Sequence, residues 1–225
     1  MNKLFAFGCS FTQYNSKCTY NGTLCTGKKE DEVNQNPGQV ICWPEHLAQL
    51  LDYESHNYGR DGGANDHIIE NIIKTLPKIT KGLEHNNHDL VVVGLTECTR
   101  QNIQGKTIRT FEANVKKMVH DYYVDVITIQ SILDSVGVDY RIFSSLNPFL
   151  ELFSTYKDFI KSFIDSPLHE HINNDKMIGF PFFKEIGGYT FSQFINEKDN
   201  TYKDITNHPT EKAHKEWAEW LYKRI

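Results

Sequence analysis

Residues 89–95 read DLVVVGL, in which Leu90–Leu95 is an unbroken apolar run set between polar neighbours. A run that is apolar on both faces fits a strand in the middle of a parallel sheet, covered from two sides. Leu4–Phe7 is a shorter run of the same kind, Tyr140–Leu146 (YRIFSSL) reads as another buried strand, and a further strand fits near Tyr53–Tyr58. Between them lie amphipathic stretches. Trp43–Asp52 predicts a helix, with Pro44 tolerated near its start. Ala64–Leu76 predicts a second, with Ile68, Ile69, Ile72 and Ile73 on one face. Thr110–Val136 predicts a long third helix, and Thr210–Ile225 a terminal one with Trp217, Trp220 and Leu221 on its apolar face. Strand–helix alternation of this kind implies the α/β class: a central parallel sheet with helices on both faces.

At 225 residues the chain reads as a single domain over 1–225, with no internal repeat and no linker. Two segments break the alternation. Gln13–Val40 is polar and without period, and reads as a long loop insertion. Residues 147–205 mix aromatics with polar turns and read as short helices in a cap-like region. A net charge of -5 argues against nucleic acid as a partner, because phosphate binding needs clustered cations. No stretch is long enough for a membrane span, and only four apolar residues follow Lys3, too few for a signal peptide. The five cysteines, Cys9, Cys18, Cys25, Cys42 and Cys98, form no disulfide framework. That pattern predicts a reducing, cytoplasmic setting. These features leave the oligomeric state open.

Four blocks fall where an α/β fold places chemistry. They are Gly8–Thr12 (GCSFT) after the first strand, Asn57–Asn65 (NYGRDGGAN) before the second helix, Gly94–Arg100 (GLTECTR) after DLVVVGL, and Asp204–Thr210 (DITNHPT) before the last helix. In a parallel sheet the first three converge at the C-terminal edge, and the fourth reaches that edge from outside. Their residue types suit acyl transfer. Ser10 is a hydroxyl nucleophile that needs a base, and His208 is one. Gly62 and a group near Thr96 can supply donors for an oxyanion. By its own neighbours alone, Ser10 reads as a turn or helix-capping serine. Asn65 or Asp66 reads as a helix cap, and His208 as a helix-entry residue. The four blocks together carry the chemical reading.

In this order the blocks resemble the SGNH/GDSL hydrolase family, in particular its compact members in phage and bacterial genomes. FAFGCSFT resembles the block with the nucleophilic serine, which falls on Ser10. NYGRDGGAN resembles the block with the oxyanion glycine, which falls on Gly62. NHPTEKAH resembles the block with the general-base histidine, which falls on His208. The resemblance implies a flavodoxin-like three-layer α/β/α sandwich and a serine esterase or deacylase with no cofactor. The departures are specific. Cys9 stands for the aspartate of the usual GDS triplet, and Thr96-Glu97 for the usual Asn-Asp. The family acid lies three residues before the histidine, at Ile205 here, and Asp204 lies one residue further back. Asp204 is therefore the candidate acid, unless a Ser-His dyad operates. Arg100 and Asn65 join Gly62 and Thr96 as candidate oxyanion or substrate-binding groups.

The expected substrate is a small-molecule or glycan ester, such as an acetylated sugar, because Gln13–Val40 is too polar for a lipid lid. The alternatives are an acyltransferase using the same pair, and a non-catalytic glycan- or protein-binding module. His85, His88 and His169-Glu170-His171 lack a further ligand at a recognisable spacing, so no metal is expected. Neither a dinucleotide fingerprint nor a Walker A pattern is present.

Overall fold

A computed structural model describes residues 1–12, 19–20, 23–24, 40–84, 87–103, 106–109, 114–149, 154–204 and 207–225. Most of the Gln13–Val40 insertion, part of the predicted start of the third helix, and Ile205 lie outside the described residues. Five parallel strands form the central sheet: β1 Lys3–Gly8, β2 Glu54–Gly59, β3 Leu90–Leu95, β4 Asp139–Ser144 and β5 Met177–Ile178. Their spatial order is β2-β1-β3-β4-β5. This is the doubly wound order in which the chain reverses direction beside β1, and a crevice opens at the carboxyl ends of β1 and β3.

Side chains alternate across the sheet and divide the core in two. Phe5, Phe7, Val91, Val93, Leu95, Tyr140 and Ile142 face helices α2 (Asn65–Glu84), α3 (Val115–Val136) and α4 (Tyr156–Ile164). Leu4, Ala6, Leu90, Val92 and Phe143 face α1 (Trp43–Leu51), α5 (Phe191–Asn196) and α6 (Glu211–Tyr222). The result is a flavodoxin-like α/β/α sandwich. Helix α3 shows why these segments are helical. Met118, Tyr122, Val126, Ile129 and Leu133 return to one face every three or four residues and are buried. Asn114 caps its start by accepting the Lys117 N–H at 3.1 Å, and Gly137 ends it at φ 70.

Two elements differ from their sequence expectation. Helix α2 runs through Pro77 to Glu84 instead of ending at Leu76. Pro77 removes one backbone bond, but Ile79 beyond it is fully buried against the sheet and carries the helix on. The segment 147–205 is also more than a cap. Its Met177–Ile178 adds the fifth strand beside β4, and Phe159, Phe163, Phe182 and Phe183 are buried in the core. Among the described residues, no helix is long and apolar enough to cross a membrane.

Candidate active site

Three adjacent strands carry a glycine in the same register at their carboxyl ends: Gly59 and Gly8 are the last residues of β2 and β1, and Gly94 is the last but one of β3. This row makes room for the loop that follows β1. A methyl group on Gly8 would lie 2.0 Å from the Thr12 Oγ1 atom, and one on Gly94 would lie 2.6 Å from Ser145 Oγ and 3.2 Å from Thr12 Oγ1. The Thr12 side chain therefore tucks back over the row. Its N–H donates to the Cys9 carbonyl at 2.8 Å and closes a tight turn with Ser10 inside it. Ser10 keeps 6% of its surface exposed, and Cys9 keeps none. Burial pushes the Cys9 thiol up, which keeps it protonated, while the charge of Arg100 and the hydroxyl of Thr96 oppose this.

The second block is built onto the same edge. The Arg60 N–H donates to the Gly8 carbonyl at 2.8 Å, and the Gly63 N–H to the Arg60 carbonyl at 3.0 Å. Between them Gly62 has φ 65, where any side chain is strained. The space beside it is open, so the requirement for glycine there is one of backbone and not of room. Asn57 joins the pieces: its Nδ2 donates to the Thr12 carbonyl at 2.9 Å and to Glu45 of α1 at 3.1 Å, and its Oδ1 accepts the Gly59 N–H. Asn57 was not among the residues singled out by sequence. The signal was present as Asn-x-Gly, the pattern of an Asx turn.

In the third block, the Thr96 N–H donates to Asn65 Oδ1 at 2.9 Å, so the first residue of α2 is tied to the end of β3. The amide oxygen of Asn65 is thereby engaged inside the protein. Glu97 and Arg100 pair through Arg100 Nε at 2.7 Å, with the carboxylate almost wholly buried. The fourth block is a closed loop. The Asp204 N–H donates to the His208 carbonyl at 2.9 Å, and the His208 N–H donates to Asp204 Oδ1 at 3.0 Å. Asn207 is left-handed at φ 62, and its N–H donates to the Asp204 carbonyl at 3.0 Å. This loop presents the imidazole to the first block: His208 Nε2 lies 3.1 Å from Ser10 Oγ. The Phe11 ring packs against His208 and Phe191, with centroids 5.9 Å and 5.7 Å away.

No protein-family model matches the sequence, and no curated protein matches it. Solved structures do match. Esterase EstA from Pseudoalteromonas sp. is 15% identical with a TM-score of 0.55, over 100% of this chain and 96% of that one. A protein described as lipolytic and of the G-D-S-L family, from Desulfitobacterium hafniense DCB-2, is 14% identical with a TM-score of 0.50, over 100% of both chains. The chain has the GDSL hydrolase fold. A carbohydrate esterase family 2 enzyme from Corynascus thermopiles, which also carries a carbohydrate binding domain, is similar at 13% identity and a TM-score of 0.54. That match covers 99% of this chain and 64% of the other.

Within this GDSL fold, the loop after β1 and the loop before α6 bring Ser10 and His208 together across 198 positions of sequence. Behind them lies His214, on α6. It is fully buried, and burial, with His46 and His208 nearby, pushes its imidazole down to about 3. It stands neutral beside the candidate base. The histidines at 169 and 171 lie elsewhere: His169 Nδ1 is 2.9 Å from the Tyr123 hydroxyl. Among the described residues, no group of three metal-ligating side chains converges.

Proposed function

We propose that the protein is a serine esterase or deacylase. The observation that carries this reading is the 3.1 Å contact between Ser10 Oγ and His208 Nε2 at the switch point of the sheet. In this reading His208 holds its proton on Nδ1, so that Nε2 accepts the Ser10 proton as Oγ attacks an ester carbonyl. The tetrahedral oxyanion is held by the N–H groups of Ser10 and Gly62. His208 then protonates the leaving alcohol, and water releases the acyl-enzyme by the reverse sequence. Asp204 acts through its bond to the His208 N–H, which fixes the loop that aims the ring.

Thr96 and Arg100 replace the missing asparagine in different degrees. The Thr96 N–H is already given to Asn65, and its hydroxyl lies against Cys9. Arg100 has donors beyond the Nε that holds Glu97, and is the better placed to meet an anionic or polar substrate group. A polar acylated substrate, such as an acetylated sugar, is supported by the polar Gln13–Val40 segment and by the likeness to a carbohydrate esterase. An acyltransferase would use the same pair with a different acceptor. A binding module is favoured by one observation, the loss of the asparagine donor at Thr96.

A fluorophosphonate probe separates these readings. The proposal expects covalent labelling at Ser10 that disappears in His208→Ala. Tight glycan binding without labelling would replace it with the binding module.

A further inference from the structure

The turn that carries Ser10 lies against a second serine. Ser144 and Ser145 follow one another at the end of β4. Ser144 Oγ donates to the Leu146 carbonyl at 2.5 Å, whereas Ser145 Oγ is buried and has no partner among the described residues. The Ser145 backbone is fixed on both sides: its N–H donates to the Leu95 carbonyl at 2.8 Å, and its carbonyl accepts the Ser192 N–H at 3.0 Å. Thr12 Oγ1 is likewise buried, with no partner among the described residues. The two oxygens meet over Gly94. A Cβ there would stand 2.6 Å from Ser145 Oγ and 3.2 Å from Thr12 Oγ1. They are therefore no more than about two hydrogen-bond lengths apart, and no direct hydrogen bond joins them. We propose that Ser145 is a positioning residue for the nucleophile turn: its hydroxyl and that of Thr12 are bridged by one buried water, which ties the turn around Ser10 to the end of β4. The catalytic consequence rests on the esterase reading. The bridge itself does not.

The chemistry of the pair calls for a bridge. Each hydroxyl carries one O–H donor and two acceptor lone pairs. Leaving both unmade in the interior is costly, whereas alanine and valine of nearly the same shape would carry no such cost. A water spans two polar groups that are too far apart for a direct bond, and it needs two to four polar partners. A third is at hand. A Cβ on Gly8 would run into Thr12 Oγ1 and would lie 3.0 Å from the Gly94 carbonyl oxygen. The hydroxyls and this carbonyl thus surround the ground that the two glycines leave clear.

The bridge completes the hold on the turn. The Thr12 N–H closes the turn onto Cys9, and the Thr12 carbonyl accepts Asn57 Nδ2 from β2 at 2.9 Å. The Thr12 backbone is thus tied to one side of β1. The Thr12 hydroxyl, through Ser145, ties it to the other. Ser145 also bears on the base. Its carbonyl holds Ser192, next to Phe191. The Phe191 ring packs on Phe11, and the Phe11 ring packs on His208. One residue at the end of β4 therefore touches both halves of the Ser10–His208 pair through a single neighbour or two.

The test joins a high-resolution crystal structure of the wild-type chain to a double-mutant cycle on Ser145→Ala and Thr12→Val. The crystal structure, which needs no variant to fold, should show one ordered water oxygen within hydrogen-bond reach of both Ser145 Oγ and Thr12 Oγ1. Ser145→Ala should lower the maximal rate of Ser10 labelling by a fluorophosphonate about fivefold, the worth of one neutral hydrogen bond. The half-saturating probe concentration should stay unchanged. Thr12→Val should do the same, and the double variant should be no slower than either single one, because all three lose the same bridge. Thr12→Ser keeps the hydroxyl and should label at the wild-type rate. A structure with no oxygen between the two hydroxyls, a wild-type rate in Ser145→Ala, or single effects that multiply in the double variant would overturn the proposal. Absence of Ser10 labelling in the wild-type chain instead overturns the esterase reading. The crystal structure, with the same cycle read by urea unfolding, then still decides the bridge.

Discussion

Gly94 shows how much of the site depends on a single missing methyl group. It leaves the space into which Thr12 Oγ1 and Ser145 Oγ project, 3.2 Å and 2.6 Å from where a Cβ would stand. Gly94→Ala should cost about 1–3 kcal/mol, as overpacking of a filled interior does. Adding Ser145→Ala should recover part of that loss. Urea unfolding of both variants measures it; an unchanged midpoint in Gly94→Ala would refute the packing account. Asn57 is a second such residue, because one side chain serves Thr12, Glu45 and Gly59 at once. Asn57→Ala should cost about 1–3 kcal/mol from the partners it strands. It should also slow Ser10 labelling, since the Ser10 loop loses its tether. The residue scale is where the sequence was least legible. Ser10 and His208 stood in recognisable blocks, but the use of Asn65 as an acceptor for Thr96 depends on two segments 31 positions apart.

At the scale of elements, loop and helix divide the work. The Asp204–His208 loop is closed by reciprocal bonds and delivers the ring without help from a helix. Asp204→Asn keeps an acceptor for the His208 N–H and should keep the loop, whereas Asp204→Ala removes it. The alanine variant should therefore lose more stability, by about 0.5–2 kcal/mol, the range of a lost cap. Equal thermal melts for the two variants would contradict this role for the carboxylate. The alternation of strands and helices was readable because the central strands β1 and β3 are short and apolar on both faces. The fifth strand was not. Met177–Ile178 contributes only two residues, too few to show a period, and its pairing with β4 is made at long range. The extension of α2 beyond Pro77 was hidden for a related reason: a local rule against proline yielded to the burial of Ile79.

For the whole molecule, a buried histidine and a half-buried aspartate shape stability against pH in opposite senses. His214 is held near 3 in the fold against 6.5 for a free imidazole, chiefly by burial. On acidification from about 6.5 to about 3 the unfolded chain takes up a proton that the folded chain refuses, so stability falls as pH falls. His214→Phe should flatten that acid limb in urea titrations. Asp125 is held near 7 against 3.8. Between those values the folded chain holds a proton that the unfolded chain has lost, so stability falls as pH rises. Asp125→Asn should flatten that second limb. An acid limb of the same steepness in His214→Phe, or a rise of stability through the second window that Asp125→Asn removes, would contradict these assignments.

The central claim is that the Ser10–His208 pair, held at the glycine-lined carboxyl edge of the sheet, is a working nucleophile and base. It is tested most directly by the kcat/KM of wild-type and Ser10→Ala proteins on short p-nitrophenyl esters and acetylated saccharides. The account predicts a loss of about a thousandfold or more with the fold intact by circular dichroism. An unchanged rate in Ser10→Ala would contradict it.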